Sequence, residues 1–320
     1  MKKAKILIVG AGSIGTRHIR NLLSLGYRNL VVCDSSKEKV KEISKLGILR
    51  MYEDVHKALA TEKPDIVFVC NPTHLHIPTA ALSLDAGAHI FIEKPISHTL
   101  QGVDALHTVV TTNKKVAMVA CNFRFSKGFR KLENILRKHV YGTPLLCRVA
   151  LGYYLPTARK GVSHTTTYAA GKIGGGVVLD SGSHVVEYLA DLFGSVKVSN
   201  VVKGTTRTIG IEGEETAGML LKHANGVLSS ISLDYVSRKS IHRLEILTEK
   251  GTLVLDFRGD TLVYEAENKT RLLYKGDGDL NLMFLEEVKH FMKCITDGSK
   301  PKQDILEAKK TLKVLLGDID

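Results

Sequence analysis

An acidic residue and a histidine stand four positions apart, Asp180 and His184, shortly after the glycine run Gly174-Gly175-Gly176. Residues four apart in an α-helix lie on one face, so this carboxylate and imidazole can point in the same direction. An imidazole takes up a proton near neutral pH, and a carboxylate can orient it or support its charge. The glycines allow the backbone to pass close to a ligand. The spacing predicts a proton-transfer pair; a helix-capping aspartate with an exposed histidine is the alternative.

A second reactive group is the lysine of Glu93-Lys94-Pro95, which follows the apolar run His89-Ile90-Phe91-Ile92. An ammonium at the end of a strand can stabilise the charge that develops on a substrate hydroxyl as its proton leaves. Pro95 restricts the backbone and can adopt the cis form, which would hold Lys94 in one direction. A surface lysine before a helix-starting proline is the other interpretation.

A glycine-rich turn near the start of the chain is typical of dinucleotide binding. The apolar run Lys5 to Val9 ends on Gly10-Ala11-Gly12-Ser13-Ile14-Gly15, and a helical pattern follows. Gly10 allows the tight turn, Gly12 lets the backbone approach a pyrophosphate, and Gly15 lets the helix pack closely on the strand. The helix N-terminus adds free N–H groups and a partial positive charge.

An acidic residue at the end of the next strand points to the cofactor. Asp34 follows Leu30-Val31-Val32-Cys33 and stands 19 residues beyond Gly15. A carboxylate there binds the ribose 2′-hydroxyl and repels a 2′-phosphate, which favours NAD, although the nearby Lys37 leaves NADP open. The residues that we expect to contact the cofactor in this region are Gly10, Gly12, Ser13, Ile14, Gly15, Asp34 and Ser35.

The elements that must position these groups form two domains. Up to about residue 120, apolar strands alternate with amphipathic helices, which predicts a doubly wound parallel sheet. Ligands bind beyond the carboxyl ends of such strands, and that is where the motifs stand. The predicted strands end near Val9, Cys33, Tyr52, Cys70, Ile92 and Ala120, and helical spacing covers Thr79 to Ala86 and Leu100 to Thr111.

The later part of the chain has a different pattern. Strand-like segments joined by short turns between residues 196 and 274 predict a large, open and predominantly antiparallel sheet. Helices are predicted near Phe129 to Lys138, Leu282 to Thr296 and Asp304 to Leu316. We therefore expect a dinucleotide-binding Rossmann domain over residues 1–123 and a substrate-binding and oligomerisation α/β domain over residues 124–320, with the final helices able to pack back on the first domain.

Composition excludes several classes of protein. The net charge of +12 is spread along the chain without a block of cations, which disfavours nucleic-acid binding and leaves a solvated basic surface or the attraction of an anionic ligand. No apolar stretch approaches the length of a membrane span. The five cysteines lack metal-type spacing, so we expect buried thiols, no metal site and a cytoplasmic location.

The chain resembles the Gfo/Idh/MocA family of NAD(P)-dependent oxidoreductases, which includes glucose–fructose oxidoreductase and inositol dehydrogenase. The family's fold is a Rossmann domain followed by an α/β domain with an open, mainly antiparallel sheet. The resemblance covers nearly the whole chain. It is carried by the Gly10–Gly15 loop, Cys70-Asn71-Pro72-Thr73 with His76, Glu93-Lys94-Pro95, Asn122-Phe123-Arg124-Phe125 and the Gly174–His184 block.

The resemblance implies roles for these residues. Lys94, Asp180 and His184 correspond to the family's catalytic group, in which His184 takes the hydroxyl proton and Lys94 orients the hydroxyl. Further residues would line the cofactor, namely Asn71, Thr73, His76, Glu93, Lys94 and Asn122. Contacts to the substrate are expected from Arg124, Tyr154, Tyr168, Asp180 and His184, with a purely structural ion pair as the alternative for Arg124.

The expected reaction is hydride transfer between the nicotinamide and a secondary hydroxyl or ketone of a sugar, cyclitol or nucleotide sugar. Reduction of an imine or another carbonyl on the same fold stays open, as does a regulator that binds dinucleotide without turnover. Residues Lys160 to Gly176, which include His164 and Lys172, are expected to form either a mobile lid or an inert loop. The open sheet is expected to form a homodimer or homotetramer.

Overall fold

The computed structural model describes residues 2–159, 161–171 and 173–319, and the chain divides into two compact units. The first unit comprises Met1–Cys121 and Phe284–Lys309, and the second comprises Asn122–Met283 and Lys310–Asp320. The boundary that the sequence predicts after residue 123 lies near the first of these divisions. The chain contributes to the first unit again at Phe284, within one of the late helices.

The first unit contains a six-stranded parallel sheet with the strand order β3-β2-β1-β4-β5-β6. Two strands lie on one side of β1 and three on the other, which is the doubly wound arrangement, so the predicted Rossmann fold is confirmed. The central strands are buried on both faces because helices cover the sheet. The strands are β1 (Ile6–Val9), β2 (Leu30–Cys33), β3 (Met51–Tyr52), β4 (Ile66–Val69), β5 (His89–Ile92) and β6 (Ala117–Val119).

Helices connect these strands, and side chains that accept backbone N–H groups fix where several of them begin. The Ser36 hydroxyl accepts the N–H of Lys39 at the start of α2, and Asp54 accepts the N–H of Lys57 at the start of α3. The helices are α1 (Ser13–Ser24), α2 (Lys37–Ser44), α3 (Val55–Glu62), α4 (His76–Asp85) and α5 (Val103–Thr112).

The second unit contains an eight-stranded sheet with the order β14-β13-β12-β11-β7-β10-β9-β8. Neighbouring strands are antiparallel except β7 and β10, which run parallel. A parallel pair needs a long connection, and the chain between β7 and β10 supplies it. The strands are β7 (Pro144–Gly152), β8 (Val196–Gly204), β9 (Thr216–His223), β10 (Leu228–Asp234), β11 (Ile241–Thr248), β12 (Gly251–Asp256), β13 (Thr261–Ala266) and β14 (Lys269–Lys275).

The two faces of this sheet differ in exposure. Along β9, Ala217, Met219 and Leu221 are buried, whereas Gly218 and Leu220 on the other face are exposed. The buried face carries α6 (Lys127–Arg137), and α7 (Ser183–Phe193) lies in the connection between β7 and β8. Two more helices, α8 (Asn281–Asp297) and α9 (Ile305–Leu316), follow the last strand.

Two expectations from composition can be compared with the structure. Over the described residues, no helix combines the length and the apolar character that crossing a membrane would require. All five cysteines are buried free thiols, as the sequence predicts. Burial raises the pKa of Cys33 to about 11 and that of Cys147 to about 12, so both remain protonated at neutral pH.

Candidate active site

The glycine turn after β1 has the geometry that its sequence predicts. Gly10 adopts a φ of 96°, and a Cβ there would lie 2.5 Å from the carbonyl oxygen of Cys70. A Cβ on Gly15 would lie 1.9 Å from the carbonyl oxygen of Gly10, so only glycine lets α1 approach the turn this closely. A Cβ on Gly12 would meet nothing within 4 Å. The open space at Gly12 fits a pyrophosphate that approaches the backbone at the N-terminus of α1.

The Asp34 carboxylate lies beside this turn, at the carboxyl end of β2. Its Oδ2 accepts the N–H of Ala11 at 2.6 Å, and its Oδ1 accepts the N–H of Ser36 at 2.8 Å. These bonds hold the carboxylate next to the glycine turn, where the sequence predicts a contact with the ribose. Ser13 and Ser35 are exposed on either side, and Ile14 is half-buried.

Asn71, at the carboxyl end of β4, presents an acceptor that the described residues leave unsatisfied. Its Nδ2 donates to the Thr79 hydroxyl at 2.8 Å, whereas no described residue donates to its buried Oδ1. An unsatisfied buried acceptor costs free energy, and a donor on a bound dinucleotide would remove that cost. Thr73 is buried nearby in the short 3-10 turn that precedes α4. The residues at this edge therefore fit a dinucleotide.

His76 connects the segments that follow β4 and β5. Its Nε2 lies 2.9 Å from the carbonyl oxygen of Asn71, and its Nδ1 lies 2.9 Å from that of Pro95. The ring is buried, and this burial lowers the pKa of His76 although the two carbonyls act in the opposite direction. His76 thus ties the segment carrying Asn71 to the one carrying Lys94.

Glu93 is bound to a buried histidine of α1. The Oε1 of Glu93 lies 2.6 Å from the Nε2 of His18, whose ring packs against Phe68 and Phe91. Burial opposes ionisation of Glu93, but the hydrogen bond and the charge of His18 outweigh it and lower the pKa of Glu93. Lys94 follows, half-buried, and the Lys94–Pro95 peptide bond is cis, the form that the sequence analysis allows.

In the second unit, the backbone at Asp180 is not the regular α-helix that the four-residue spacing assumes. Val178–Gly182 forms a π-helical turn, and α7 begins only at Ser183. Hydrogen bonds in a π-helix join residues five apart, so the backbone between Asp180 and His184 is wound more loosely than in an α-helix. The predicted helix is therefore irregular at its start, and the prediction that Asp180 and His184 share one face stays a prediction. Asp180 lies in the π-turn, and His184 lies in the first turn of α7.

Three tyrosine hydroxyls converge on the Asp180 carboxylate. Tyr153 donates to Oδ2 at 3.0 Å, Tyr235 donates to Oδ2 at 2.9 Å, and Tyr168 donates to Oδ1 at 2.5 Å. Asp180 is buried, and these hydroxyls satisfy its oxygens in place of water. Burial raises the pKa of Tyr235 well above its usual value, with the Asp180 charge adding to the effect, so this phenol stays a donor at neutral pH.

The His184 ring is half-buried and is oriented by an aromatic neighbour. It meets the ring of Phe123 nearly at right angles, with the ring centroids 4.9 Å apart. Phe123 in turn packs against His242 and Phe257. The ring of His184 is therefore supported by packed aromatic side chains on one side.

The glycine run before the π-turn packs against the protein's own chain. The sequence analysis instead expects these glycines to let the backbone approach a ligand. A Cβ on Gly175 would lie 2.2 Å from the carbonyl oxygen of Gly171, and one on Gly176 would lie 2.4 Å from the Glu214 carboxylate. Glu214 also accepts the N–H of Val178 at 3.0 Å. These glycines thus allow close packing that fixes the π-turn.

Arg124 and Asn122 lie among buried groups of the second unit. The Nη1 of Arg124 lies 2.7 Å from the Oε1 of Glu187, and its Nη2 contacts the carboxylate of Asp191. Both acidic residues belong to α7, so Arg124 joins its own segment to the helix that carries His184. Asn122 is buried, and its Nδ2 donates to the sulfur of Met283 at 3.4 Å.

The segment expected as a lid is only partly described, because Lys160 and Lys172 lie outside the described residues. Between them, Tyr168 reaches Asp180, and His164 Nε2 lies 2.6 Å from the carbonyl oxygen of Ile209. The ring of Tyr154 instead lies against the guanidinium of Arg238, and the Arg238 Cζ is 3.7 Å from the centroid of that ring. The structure thus joins Tyr168 to Asp180 and gives Tyr154 a different partner.

Tyr153 and Tyr235 are the functional candidates that the sequence analysis missed. Each immediately follows the carboxyl end of a strand, β7 for Tyr153 and β10 for Tyr235. Because β7 and β10 are parallel neighbours, their carboxyl ends lie at the same edge of the sheet. The sequence does show a tyrosine at the end of each strand. It does not show that the two strands pair in parallel, which is what brings the two tyrosines together.

A doubly wound sheet with this glycine turn and this acidic residue indicates a dinucleotide-binding domain. Residues 4–121 match the model of an oxidoreductase family described as having an NAD-binding Rossmann fold, and residues 129–254 match the GFO/IDH/MocA C-terminal domain. The chain belongs to the Gfo/Idh/MocA family, as the motifs predict.

Several dehydrogenases are similar over nearly the whole chain. Myo-inositol 2-dehydrogenase of Thermotoga maritima is 27% identical over 93% of this chain and 90% of its own length. D-apiose dehydrogenase of Paraburkholderia graminis is 24% identical over 98% of this chain and 86% of its own. The structure of UDP-N-acetylglucosamine 3-dehydrogenase from Acidithiobacillus ferrooxidans superposes with a TM-score of 0.82 at 19% identity, covering 100% of this chain and 97% of that one, and this likeness shows the shared fold.

Proposed function

We propose that this enzyme transfers a hydride between NAD and a secondary hydroxyl, or the corresponding ketone, of a sugar, cyclitol or nucleotide sugar. The observation that carries this assignment is the buried Asp180 carboxylate, which three tyrosine hydroxyls hold just before His184. Binding a dinucleotide alone requires no such arrangement. The names of the similar enzymes from Thermotoga maritima and Paraburkholderia graminis, which act on a cyclitol and a sugar, support the substrate class.

The proton chemistry falls to three side chains. His184 takes the proton from the substrate hydroxyl, and its half-buried ring is kept in one orientation by Phe123. Asp180 supports the substrate or the charged imidazole with a carboxylate that is already oriented. The Lys94 ammonium stabilises the negative charge on the same oxygen as the proton leaves. Bound NAD supplies the hydride acceptor at C4 of its nicotinamide.

Different residues at the carboxyl edge of the Rossmann sheet bind different parts of NAD. Gly12 and the N-terminus of α1 receive the pyrophosphate, Asp34 receives the ribose, and Asn71 accepts a hydrogen bond through its Oδ1. The role of Glu93 and His76 in cofactor binding is to hold the Lys94 segment and the Asn71 segment in place. Thr73 and Asn122 complete this set. In the second unit, Arg124 positions α7.

The test is a dehydrogenase screen with NAD and with NADP over sugars, inositols and nucleotide sugars. We expect NAD reduction with at least one compound, and a loss of about 10²–10⁴-fold in kcat for Lys94→Ala. Lys57→Ala is the matched control, because Lys57 is exposed on α3 of the same unit. Unchanged turnover in Lys94→Ala would contradict the assignment of Lys94. Tight NAD binding without turnover of any compound would favour a regulator.

The exposed face of the second sheet supports the further proposal of a homodimer or homotetramer. This face carries apolar side chains on neighbouring strands, with Val202 66%, Leu220 64% and Leu228 51% exposed. Large exposed apolar side chains on neighbouring strands are typical of an interface between subunits. Light scattering should show an oligomer that Leu220→Asp dissociates. A monomeric wild-type protein at micromolar concentration would refute the proposal.

A further inference from the structure

The guanidinium groups of two arginines of the second unit lie over tyrosine rings, and one of these tyrosines contacts the Asp180 carboxylate. The Cζ of Arg238 lies 3.7 Å from the centroid of the Tyr154 ring, and the Cζ of Arg159 lies 5.4 Å from that of Tyr168. Tyr168 also donates its hydroxyl to Asp180, so a single side chain touches both a guanidinium and that carboxylate. A cation–π contact of this kind holds a guanidinium in place and leaves its N–H groups able to bind another group.

Backbone hydrogen bonds fix the position of the chain at Arg238. The backbones of the two parallel strands stay joined beyond their ends, because Tyr153 N–H donates to Asp234 and Leu155 N–H donates to Tyr235. The Asp234 Oδ1 then accepts the N–H groups of Val236 and Ser237 at 3.0 and 2.7 Å. This turn sends the chain from Tyr235, which contacts Asp180, directly to Arg238.

Neither guanidinium has an acidic partner in the part of the chain that the structure describes. No described carboxylate oxygen lies within 4.0 Å of Arg159 or Arg238. Arg124 in the same unit differs, since its guanidinium contacts two carboxylates of α7. The Arg124 charge is therefore paired within its own unit, whereas the charges of Arg159 and Arg238 remain available to a ligand.

We infer that the substrate is an anionic sugar, whose carboxylate or phosphate is bound by Arg159 and Arg238 while the hydroxyl to be oxidised lies at His184. A guanidinium pairs with a carboxylate or a phosphate through two parallel N–H···O bonds, which neutral sugars and cyclitols cannot offer. This inference rests on the proposed function and narrows its substrate class. The anion belongs either to a sugar acid or to a phosphorylated or nucleotide-linked sugar.

Steady-state kinetics at saturating NAD distinguish these sources. Glucose and myo-inositol serve as neutral probes, glucuronate as the carboxylate probe, and glucose 6-phosphate and UDP-glucose as the phosphate probes. We expect kcat/KM for one anionic group to exceed that for the neutral probes by at least about tenfold. In Arg159→Gln and Arg238→Gln, KM for that group should rise about tenfold while kcat changes little. Arg271→Gln, on exposed β14, is the matched control.

Kinetics with neutral probes equal to or better than anionic ones would overturn the inference and leave the proposed function intact. So would an equal loss of kcat/KM for neutral and anionic probes in the two arginine variants. If no probe is oxidised, calorimetric titration of the NAD-saturated protein with glucuronate, glucose 6-phosphate and UDP provides the test. Binding that both arginine substitutions weaken would support the anion site even where the proposed reaction fails. No binding of any of these anions would refute it.

Discussion

The two units hold their candidate site residues by different physical means. In the first unit, backbone groups do most of the work: Asp34 accepts the N–H of Ala11, His76 contacts two carbonyl oxygens, and Gly15 touches the turn that it follows. In the second unit, tyrosine side chains from three separate segments hold one carboxylate, Asp180. A backbone-built site tolerates little change in local geometry, whereas a side-chain network can be weakened one hydroxyl at a time.

The largest expected effect comes from adding one methyl group to the backbone-built site. In Gly15→Ala, the new Cβ would meet the carbonyl oxygen of Gly10, and overpacking of this kind costs about 1–3 kcal/mol. We expect a lower Tm and loss of NAD binding, measured by thermal unfolding and by NADH fluorescence. Gly12→Ala is the matched variant, because its Cβ meets nothing within 4 Å. It should keep the wild-type Tm and still weaken NAD binding; an equal loss of Tm in both variants would contradict this description.

A smaller effect is expected when one hydroxyl is removed from the side-chain network. Tyr235→Phe deletes a donor to Asp180, and a change of one such hydrogen bond corresponds to about a tenfold fall in kcat. NAD binding should be unchanged, because the first unit is untouched. Tyr188→Phe is the control, since that buried hydroxyl lies 3.3 Å from His242 and does not contact Asp180. If Tyr235→Phe and Tyr188→Phe lower kcat equally, the Tyr235 hydroxyl acts only on the stability of the fold, and this would contradict its role at Asp180.

An effect of the same size is expected at Asp34, where a side chain takes part in the backbone-built site. Asp34→Ala removes the acceptor beside the glycine turn, so NAD should bind about tenfold more weakly, the value of one charged hydrogen bond. It should also relax the rejection of NADP, because the carboxylate that repels a 2′-phosphate is gone. Titration of both cofactors measures this preference. The same NAD/NADP ratio before and after the substitution would remove Asp34 from ribose recognition.

The site residues of the first unit can be predicted from the sequence better than those of the second, because their geometry is local. Gly10, Gly15 and Asp34 act within short segments, and their spacing reflects the local backbone they require. Strand positions could be predicted in both sheets because alternation and apolar runs report burial directly. By contrast, Tyr153 and Tyr235 become neighbours only through the parallel pairing of β7 and β10, and no local pattern encodes that pairing.

Two other differences arise from packing that a single sequence does not reveal. The π-turn at Asp180 depends on Gly176 lying against Glu214, a residue far along the chain. His76, expected at the cofactor, is buried between two carbonyl oxygens, and such a contact depends on how the segments after β4 and β5 are arranged. Residue types therefore indicate candidate positions, while tertiary contacts determine which groups each side chain touches.

The central claim, that His184 removes the proton from the substrate hydroxyl, is tested most directly by the pH dependence of NAD reduction. With the best substrate of the screen, kcat/KM of the wild-type enzyme should fall as acid protonates the base, and His184→Ala should lose most of the rate together with that fall. His56→Ala, an exposed histidine on α3, should behave as wild type. Wild-type rates and an unchanged pH profile in His184→Ala would contradict the account.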